Sequence, residues 1–243
     1  MRKKLLFFYF NLISFFSFSQ LDFYQKPIMN ANYDAGETSI IILEDLDNDG
    51  DLDIISGSKT GKKIGWQENI DGAGHYGNLN LITSNVDHVT DLMIIDIDGD
   101  GYKDLISGSS EDGKIAWYKN DGLGNFSKQK IIIEYLTNVH SVFGGDIDGD
   151  GDIDIVSTNH VNSNSNYIAY NENLDGLGNF GNSIAILNLG SNTLKELEIK
   201  DLDGDNDNDI AFVGDDGILG SGGQIGWLKN LDGNGNFGSK IIL

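Results

Sequence analysis

The nonapeptide DLDNDGDLD, Asp45 to Asp53, decides how this chain is read, because it is written four times. The later copies are DIDGDGYKD (Asp96 to Asp104), DIDGDGDID (Asp146 to Asp154) and DLDGDNDND (Asp201 to Asp209). Carboxylates this dense on one short turn repel each other. Two like charges ~4 Å apart cost on the order of 4 kcal/mol at an effective dielectric of about 20. Acidic residues at positions 1, 3 and 5, with a tight-turn residue at 6, wrap oxygen ligands around one centre, an arrangement that hard Ca²⁺ favours. One ion is therefore expected in each copy.

The copies begin at Asp45, Asp96, Asp146 and Asp201, a spacing of roughly fifty residues that signals a repeat architecture. Other landmarks keep step. Ile64-Gly65-Trp66, Ile115-Ala116-Trp117, Ile168-Ala169-Tyr170 and Ile225-Gly226-Trp227 follow the four loops. After each triplet come an Asn and an Asp-Gly turn leading to an aromatic: Asp71-Gly72 to Tyr76, Asp121-Gly122 to Phe126, Asp175-Gly176 to Phe180, Asp232-Gly233 to Phe237. Each unit then closes on an apolar run such as Ile131-Ile132-Ile133.

Asp-Gly pairs between short apolar runs are hairpin chemistry. No window sustains a 3.6-residue apolar period, so helix is expected to be minimal outside the N-terminal segment. In the third unit, strands are expected over 141–145, 153–158, 167–171 and 183–187. Four antiparallel strands per repeat make the blade of a β-propeller, and the fold class is read as all-β. Blades are expected over roughly 38–82, 89–134, 139–188 and 194–243. The first strand of each, such as 40–43 or 93–95, is nearly all apolar and is expected to line a crowded centre. Residues 21–28 resemble the outer-strand segment 125–132, and 21–29 are expected as an extra outer strand. Either four blades close with this strand to spare or, the favoured reading, the chain is part of a larger ring.

Against 16 Lys and Arg stand 38 Asp and Glu, a formal net charge of −22. Phosphate binding needs clustered cations, so nucleic acid and anionic membrane faces are excluded as partners. The absence of cysteine excludes a disulfide framework and thiolate metal sites. Residues 1–19 read as a secretory signal: Arg2, Lys3 and Lys4, an apolar stretch over 5–18, then Ser17 and Ser19 at −3 and −1 of a cut before Gln20. That stretch is shorter than the ~20 apolar residues of a spanning helix. The repeat region 20–243 is thus expected to be secreted or on the cell surface, with no membrane insertion after cleavage.

These motifs resemble the FG-GAP/VCBS repeat family, which also builds integrin α-subunit propellers, and the resemblance covers 21–243. It implies a seven-bladed type of ring and an ion held by side chains at positions 1, 3, 5 and 9 and by the carbonyl at 7. In the first loop these are Asp45, Asp47, Asp49 and Asp53 with the carbonyl of Asp51. In the second they are Asp96, Asp98, Asp100 and Asp104 with the carbonyl of Tyr102. The third offers Asp146, Asp148, Asp150 and Asp154 with that of Asp152, and the fourth Asp201, Asp203, Asp205 and Asp209 with that of Asp207. Asn206 departs from the pattern, since the other loops have Gly50, Gly101 and Gly151 at position 6. Asn tolerates positive φ better than most residues. An EF-hand is rejected, because position 12 holds Ser56, Ser107, Ser157 and Phe212 where a bidentate Glu is required.

No catalytic residues are expected. Of the four histidines, His75, His88, His140 and His160, His88 and His140 precede an inner strand and are read as polar turn residues rather than as groups facing a central opening. Trp66, Trp117, Tyr170 and Trp227 are read as packing between repeats rather than as a sugar-stacking set. No Gly-x-Ser-x-Gly, His-Glu-x-x-His, P-loop or dinucleotide fingerprint occurs. Extra length falls at 159–166 and 214–223, read as loops opposite the acidic ones, where a rigid scaffold would carry a ligand site. The expected function is a calcium-stabilised binding or adhesion module for extracellular protein or polysaccharide. The alternatives are the scaffold of a polysaccharide lyase or hydrolase, or a purely structural repeat of a larger surface protein.

Overall fold

The computed structural model describes residues 37–134, 136–162, 165–190, 194–214 and 223–243. The expected signal at 1–19 and the expected outer strand at 21–29 lie outside the described residues. Among the described residues, sixteen strands form four separate four-stranded sheets and no helix occurs.

The first sheet is β1 (Thr38–Glu44), β2 (Asp53–Ser58), β3 (Ile64–Gln67) and β4 (Asn80–Thr83). The second is β5 (Val89–Ile95), β6 (Asp104–Ser109), β7 (Lys114–Tyr118) and β8 (Lys130–Ile133). The third is β9 (Thr137–Gly145), β10 (Asp154–Asn162), β11 (Ser165–Asn171) and β12 (Ile184–Gly190). The fourth is β13 (Leu194–Lys200), β14 (Asp209–Gly214), β15 (Gln224–Leu228) and β16 (Ile241–Ile242). Every sheet is an antiparallel meander in chain order, so its acidic loop and its Asp-Gly turn share one end. The pairs Glu44↔Asp53, Ile95↔Asp104, Gly145↔Asp154 and Lys200↔Asp209 close the acidic loops. The bridges Asn69↔Tyr76, Asn120↔Phe126, Asn173↔Phe180 and Asn230↔Phe237 close the Asp-Gly turns.

Successive sheets pack face on face, with β1 beside β5, β5 beside β9 and β9 beside β13. Three apolar clusters fill the three joints. Leu46, Ile55, Ile64 and Trp66 of the first sheet meet Val89, Leu92 and Leu105 of the second. Ile97, Ile106 and Trp117 meet Val139, Val142 and Ile155. Ile147, Val156 and Tyr170 meet Leu197, Ile210 and Phe212. On the outward faces of the two end sheets, Ile41, Leu43 and Ile225 stay exposed.

The apolar first strands are less buried than the second strands: β1 alternates exposed and half-buried residues, whereas β6 is buried throughout. The second strands carry small residues that let the neighbouring sheet close in. A Cβ on Gly57 would stand 2.7 Å from Val89, and one on Gly108 would stand 2.9 Å from Val139. The stretch 159–166, expected as a loop, is largely strand. β10 and β11 continue their pairing through Asn159↔Tyr167, His160↔Asn166 and Asn162↔Ser165. Polar residues at the tip pair as well as apolar ones, because the ladder is made by the backbone.

Candidate metal centres

Each acidic loop is built by its own carboxylates bonding its own backbone. The carboxylate at position 1 accepts the N–H at position 6: Gly50 to Asp45, Gly101 to Asp96, Gly151 to Asp146 and Asn206 to Asp201, at 2.9–3.1 Å. Position 5 accepts the N–H at position 7: Asp51 to Asp49, Tyr102 to Asp100, Asp152 to Asp150 and Asp207 to Asp205, at 2.9–3.1 Å. The turn requires a left-handed residue at position 6. Gly50, Gly101 and Gly151 take φ of 94°, 89° and 95°, and Asn206 takes 72°. The fourth loop therefore makes the same turn and the same hydrogen bond despite its departure in sequence.

Position 9 is the anchor. Asp53, Asp104, Asp154 and Asp209 are fully buried. One carboxylate oxygen of each accepts the N–H at position 2, from Leu46, Ile97, Ile147 and Leu202, at 2.9–3.3 Å. The other accepts the N–H of Asn69, Asn120, Asn173 or Asn230, at 2.7–2.9 Å. Burial pushes Asp104 and Asp154 up to about 6, even though these N–H bonds pull the other way. Asp53 is raised for the same reason.

The structure brings positions 1, 3 and 9 together in every loop. One ligand oxygen each of Asp45, Asp47 and Asp53 lies within 4.8 Å of the others, and so it is for Asp96, Asp98 and Asp104, for Asp146, Asp148 and Asp154, and for Asp201, Asp203 and Asp209. Such a cluster of Asp in each repeat can hold a metal ion. Among the described residues, position 5 joins a cluster in the first loop, where Asp49 meets Asp47 and Glu68, and in none of the other three. The side chains at position 7 point elsewhere. Asp51, Tyr102, Asp152 and Asp207 lie so close over Gly72, Gly122, Gly176 and Gly233 that a Cβ on any of those glycines would collide with them.

The carboxylates are not saturated by the protein. Asp45 Oδ1, Asp96 Oδ1 and Asp98 Oδ1 are buried with no hydrogen-bond partner. A buried acceptor left unpaired costs roughly 1–3 kcal/mol, more when charged. These oxygens fit a cation, and an oxygen-only donor set without His or Cys suits a hard ion such as Ca²⁺. Burial and the neighbouring Asp49 raise Asp47, and burial, Asp150 and Glu172 raise Asp148. The Lys119 ammonium lowers Asp100, and the Lys229 ammonium lowers Asp205.

Sequence reasoning missed three groups. The Asn that precedes each Asp-Gly turn is structural: Nδ2 of Asn120, Asn173 and Asn230 donates to the carbonyl of Leu46, Ile97 and Ile147 in the sheet before. Its recurrence in every repeat, at Asn69, Asn120, Asn173 and Asn230, was the available signal. Glu68 and Lys119, one residue earlier, reach into the acidic loops and carried no motif. Of the histidines, His75 pairs with Asp71, and His88, at φ 60°, stands 4.0 Å from Glu111. Trp66 packs over Gly124 and Trp117 over Gly178 of the following sheet, as packing residues between repeats would. A groove of about 490 Å³, lined by Asp47, Trp66, Glu68, Asn80, Asn125 and Phe126 among others, opens beside the first cluster. No helix among the described residues is long and apolar enough to cross a membrane.

The FG-GAP-like repeat profile matches the chain three times, over 45–107, 96–157 and 146–212. No curated protein matches it significantly. Among solved structures, the chain is similar to the Photorhabdus luminescens Tc holotoxin pore, at 18% identity and a TM-score of 0.42 over 90% of this chain and 10% of that one. It is also similar to the V. cholerae biofilm matrix protein Bap1, at 17% identity and a TM-score of 0.37 over 83% of this chain and 38% of that one. The chain thus spans a minor part of the length of both.

Proposed function

This chain belongs to the FG-GAP-like repeat family, and from that membership we propose that it is a secreted, calcium-stabilised β-propeller module that binds extracellular protein or polysaccharide. The four sheets would stand as successive blades, with β1, β5, β9 and β13 innermost. The neighbouring of these strands in chain order supports that arrangement.

One observation carries the calcium reading: buried, unpartnered carboxylate oxygens at Asp45, Asp96 and Asp98 inside clusters of like charge. The carboxylates at positions 1, 3 and 9, with position 5 and the carbonyl at 7, would hold the ion. When bound, Ca²⁺ supplies the positive charge that lets four carboxylates share one turn. Extracellular modules bind it with Kd of ~10⁻⁴ to 10⁻³ M. At about millimolar Ca²⁺ each site then adds ~0.4–1.4 kcal/mol by mass action. That benefit exists outside the cytoplasm, which agrees with the signal-like residues 1–19.

The binding reading rests on the scaffold. The β10–β11 hairpin runs out to Asn162↔Ser165, beyond the shorter β6–β7 hairpin, on the side opposite the acidic loops. The expected long loop at 214–223 lies mostly outside the described residues. The polar groove beside Asp47 and Trp66 suits a hydroxyl-rich chain. The carboxylates that could hydrolyse a glycoside are the ones assigned to the ion, which favours binding over cleavage. A glycan array and a protein pull-down, run beside a depolymerisation assay with and without Ca²⁺, test this. Binding without cleavage is expected. Depolymerisation would replace the reading with that of a lyase or hydrolase scaffold.

A further inference from the structure

The residue just before the turn Asn alternates in charge along the chain: Glu68, Lys119, Glu172, Lys229. In the first repeat the Glu68 carboxylate gathers with Asp47 and Asp49, their ligand oxygens within 4.8 Å of one another. In the second, Lys119 Nζ contacts Asp98 and lies 2.8 Å from Asp100. In the fourth, Lys229 Nζ contacts Asp203 and lies 2.8 Å from Asp205. One position thus adds an anion to the first loop and a cation to the second and fourth, and in the third repeat the same position is again an acid, Glu172.

We propose that the four acidic loops are two kinds of site: calcium-dependent centres in the first and third repeats, and centres in the second and fourth that carry their own counter-cation in Lys119 and Lys229. The inference rests on the calcium reading above. A lysine ammonium is a compact charge with three donors, and on a four-carbon stem it can satisfy two carboxylates at once. Where it does so, the loop keeps its shape with less need of a metal, and an entering divalent ion meets a positive charge at close range. Where Glu68 or Glu172 stands instead, repulsion within the loop grows and so does the demand for an ion. Ligand charge count is what tunes Ca²⁺ affinity in oxygen-donor sites.

The second loop is weakened as a metal site and not abolished. Lys119 engages one oxygen of Asp98 and one of Asp100, which leaves Asp96 Oδ1 and Asp98 Oδ1 buried and unpartnered. Two classes of affinity follow rather than two sites and none. The consequence is graded dependence on calcium along one chain: at falling Ca²⁺ the first and third loops loosen, while the second and fourth stay closed on their lysines.

The test is a calorimetric Ca²⁺ titration of the whole chain, beside Lys119→Met/Lys229→Met and Glu68→Gln/Glu172→Gln. The unaltered chain is expected to show two tighter sites and two at least about tenfold weaker. The methionine pair should tighten the weaker class by about tenfold or more, and the glutamine pair should weaken the tighter class. Four equivalent sites, or a weaker class unmoved by the methionine pair, would overturn the inference and leave the calcium reading standing. No binding at all would overturn the calcium reading itself. Hydrogen exchange of the unaltered chain in EDTA is a second readout that needs no variant. The amides of Tyr102 and Asp207 are expected to exchange more slowly than those of Asp51 and Asp152, and equal protection in all four loops would refute the two-class assignment.

Discussion

Asn173 Nδ2 donates to the carbonyl of Ile97 at 3.1 Å, a hydrogen bond that crosses from the third sheet to the acidic loop of the second. The same bond joins Asn120 to Leu46 at 2.8 Å and Asn230 to Ile147 at 2.8 Å. Each joint between sheets is therefore fastened at its acidic end by such an amide, which holds the loop of the preceding repeat. The Asn48 and Asn208 amides add a second bond across the first and third joints, to the carbonyls of Gly122 and Asp146. Replacing Asn173 with Ala strands the Ile97 carbonyl in a buried setting, which costs roughly 1–3 kcal/mol. Asn69→Ala should cost less, because no sheet precedes the first among the described residues. Urea unfolding of both variants measures the difference, and equal losses would contradict the cross-sheet role.

The joints also depend on glycines. Gly178 takes φ of 77°, and a Cβ there would run into the Trp117 ring of the sheet before. Gly74 takes φ of 81° with nothing within 4 Å of its Cβ position. Gly74→Ala then meets only the left-handed backbone penalty, ~1–2 kcal/mol. Gly178→Ala adds a clash with a buried indole and is expected to cost ~1–3 kcal/mol more. Thermal melts of the two variants, taken in the same Ca²⁺, should rank them in that order.

Calcium removal should destabilise the protein. Melting temperatures in EDTA and in millimolar CaCl₂ are expected to differ by several degrees or more. Mg²⁺ should restore little, because it dehydrates reluctantly and demands stricter octahedral geometry. Superimposable melting curves in EDTA and Ca²⁺ would remove the ion from the account of stability.

Position within a loop should set the cost of substitution. Asp148 lies in the cluster with Asp146 and Asp154, whereas the Asp152 side chain is turned over Gly176. Asp148→Ala is expected to weaken Ca²⁺ binding at the third loop at least about tenfold, and Asp152→Ala only modestly, through lost long-range charge. Calorimetric titration distinguishes them.

Stability of the metal-free protein should fall as pH rises between about 4 and 6. Burial holds Asp104 and Asp154 up near about 6, well above the ~3.9 of a free Asp, so the folded state binds more protons than the unfolded one across that window. Their contribution is fully present below the unfolded value and is lost as pH passes the folded one. Asp71, Asp121 and Asp232 are lowered by local hydrogen bonds and act in the opposite sense, but they are exposed and count for little. In EDTA the melting temperature at pH ~5 should exceed that at pH ~7. Saturating Ca²⁺ should reverse the order, since only the ionised carboxylates bind it. A metal-free melting temperature that climbs from pH ~5 to ~7 would refute the assignment.

The sequence by itself determined the repeat, the antiparallel strands and the acidic turns. These depend on residues a few positions apart: Asp45 reaches the Gly50 N–H within its own turn, and a period read along the chain reports such contacts directly. Asn206 shows the margin of that logic, since its αL tolerance let the fourth turn form where glycine was missing. Only the tertiary structure decided what crosses between turns and between repeats. Asn173 meets Ile97 seventy-six residues away in sequence, and Lys119 meets Asp98 and Asp100 across the sheet from the end of β7. Lys119 and Glu68 look alike to any rule about surface charge. Their opposite effects on the loops beside them come from the β-meander, which sets the end of its third strand next to its own acidic loop, where a single side chain is close enough to oppose or replace an ion.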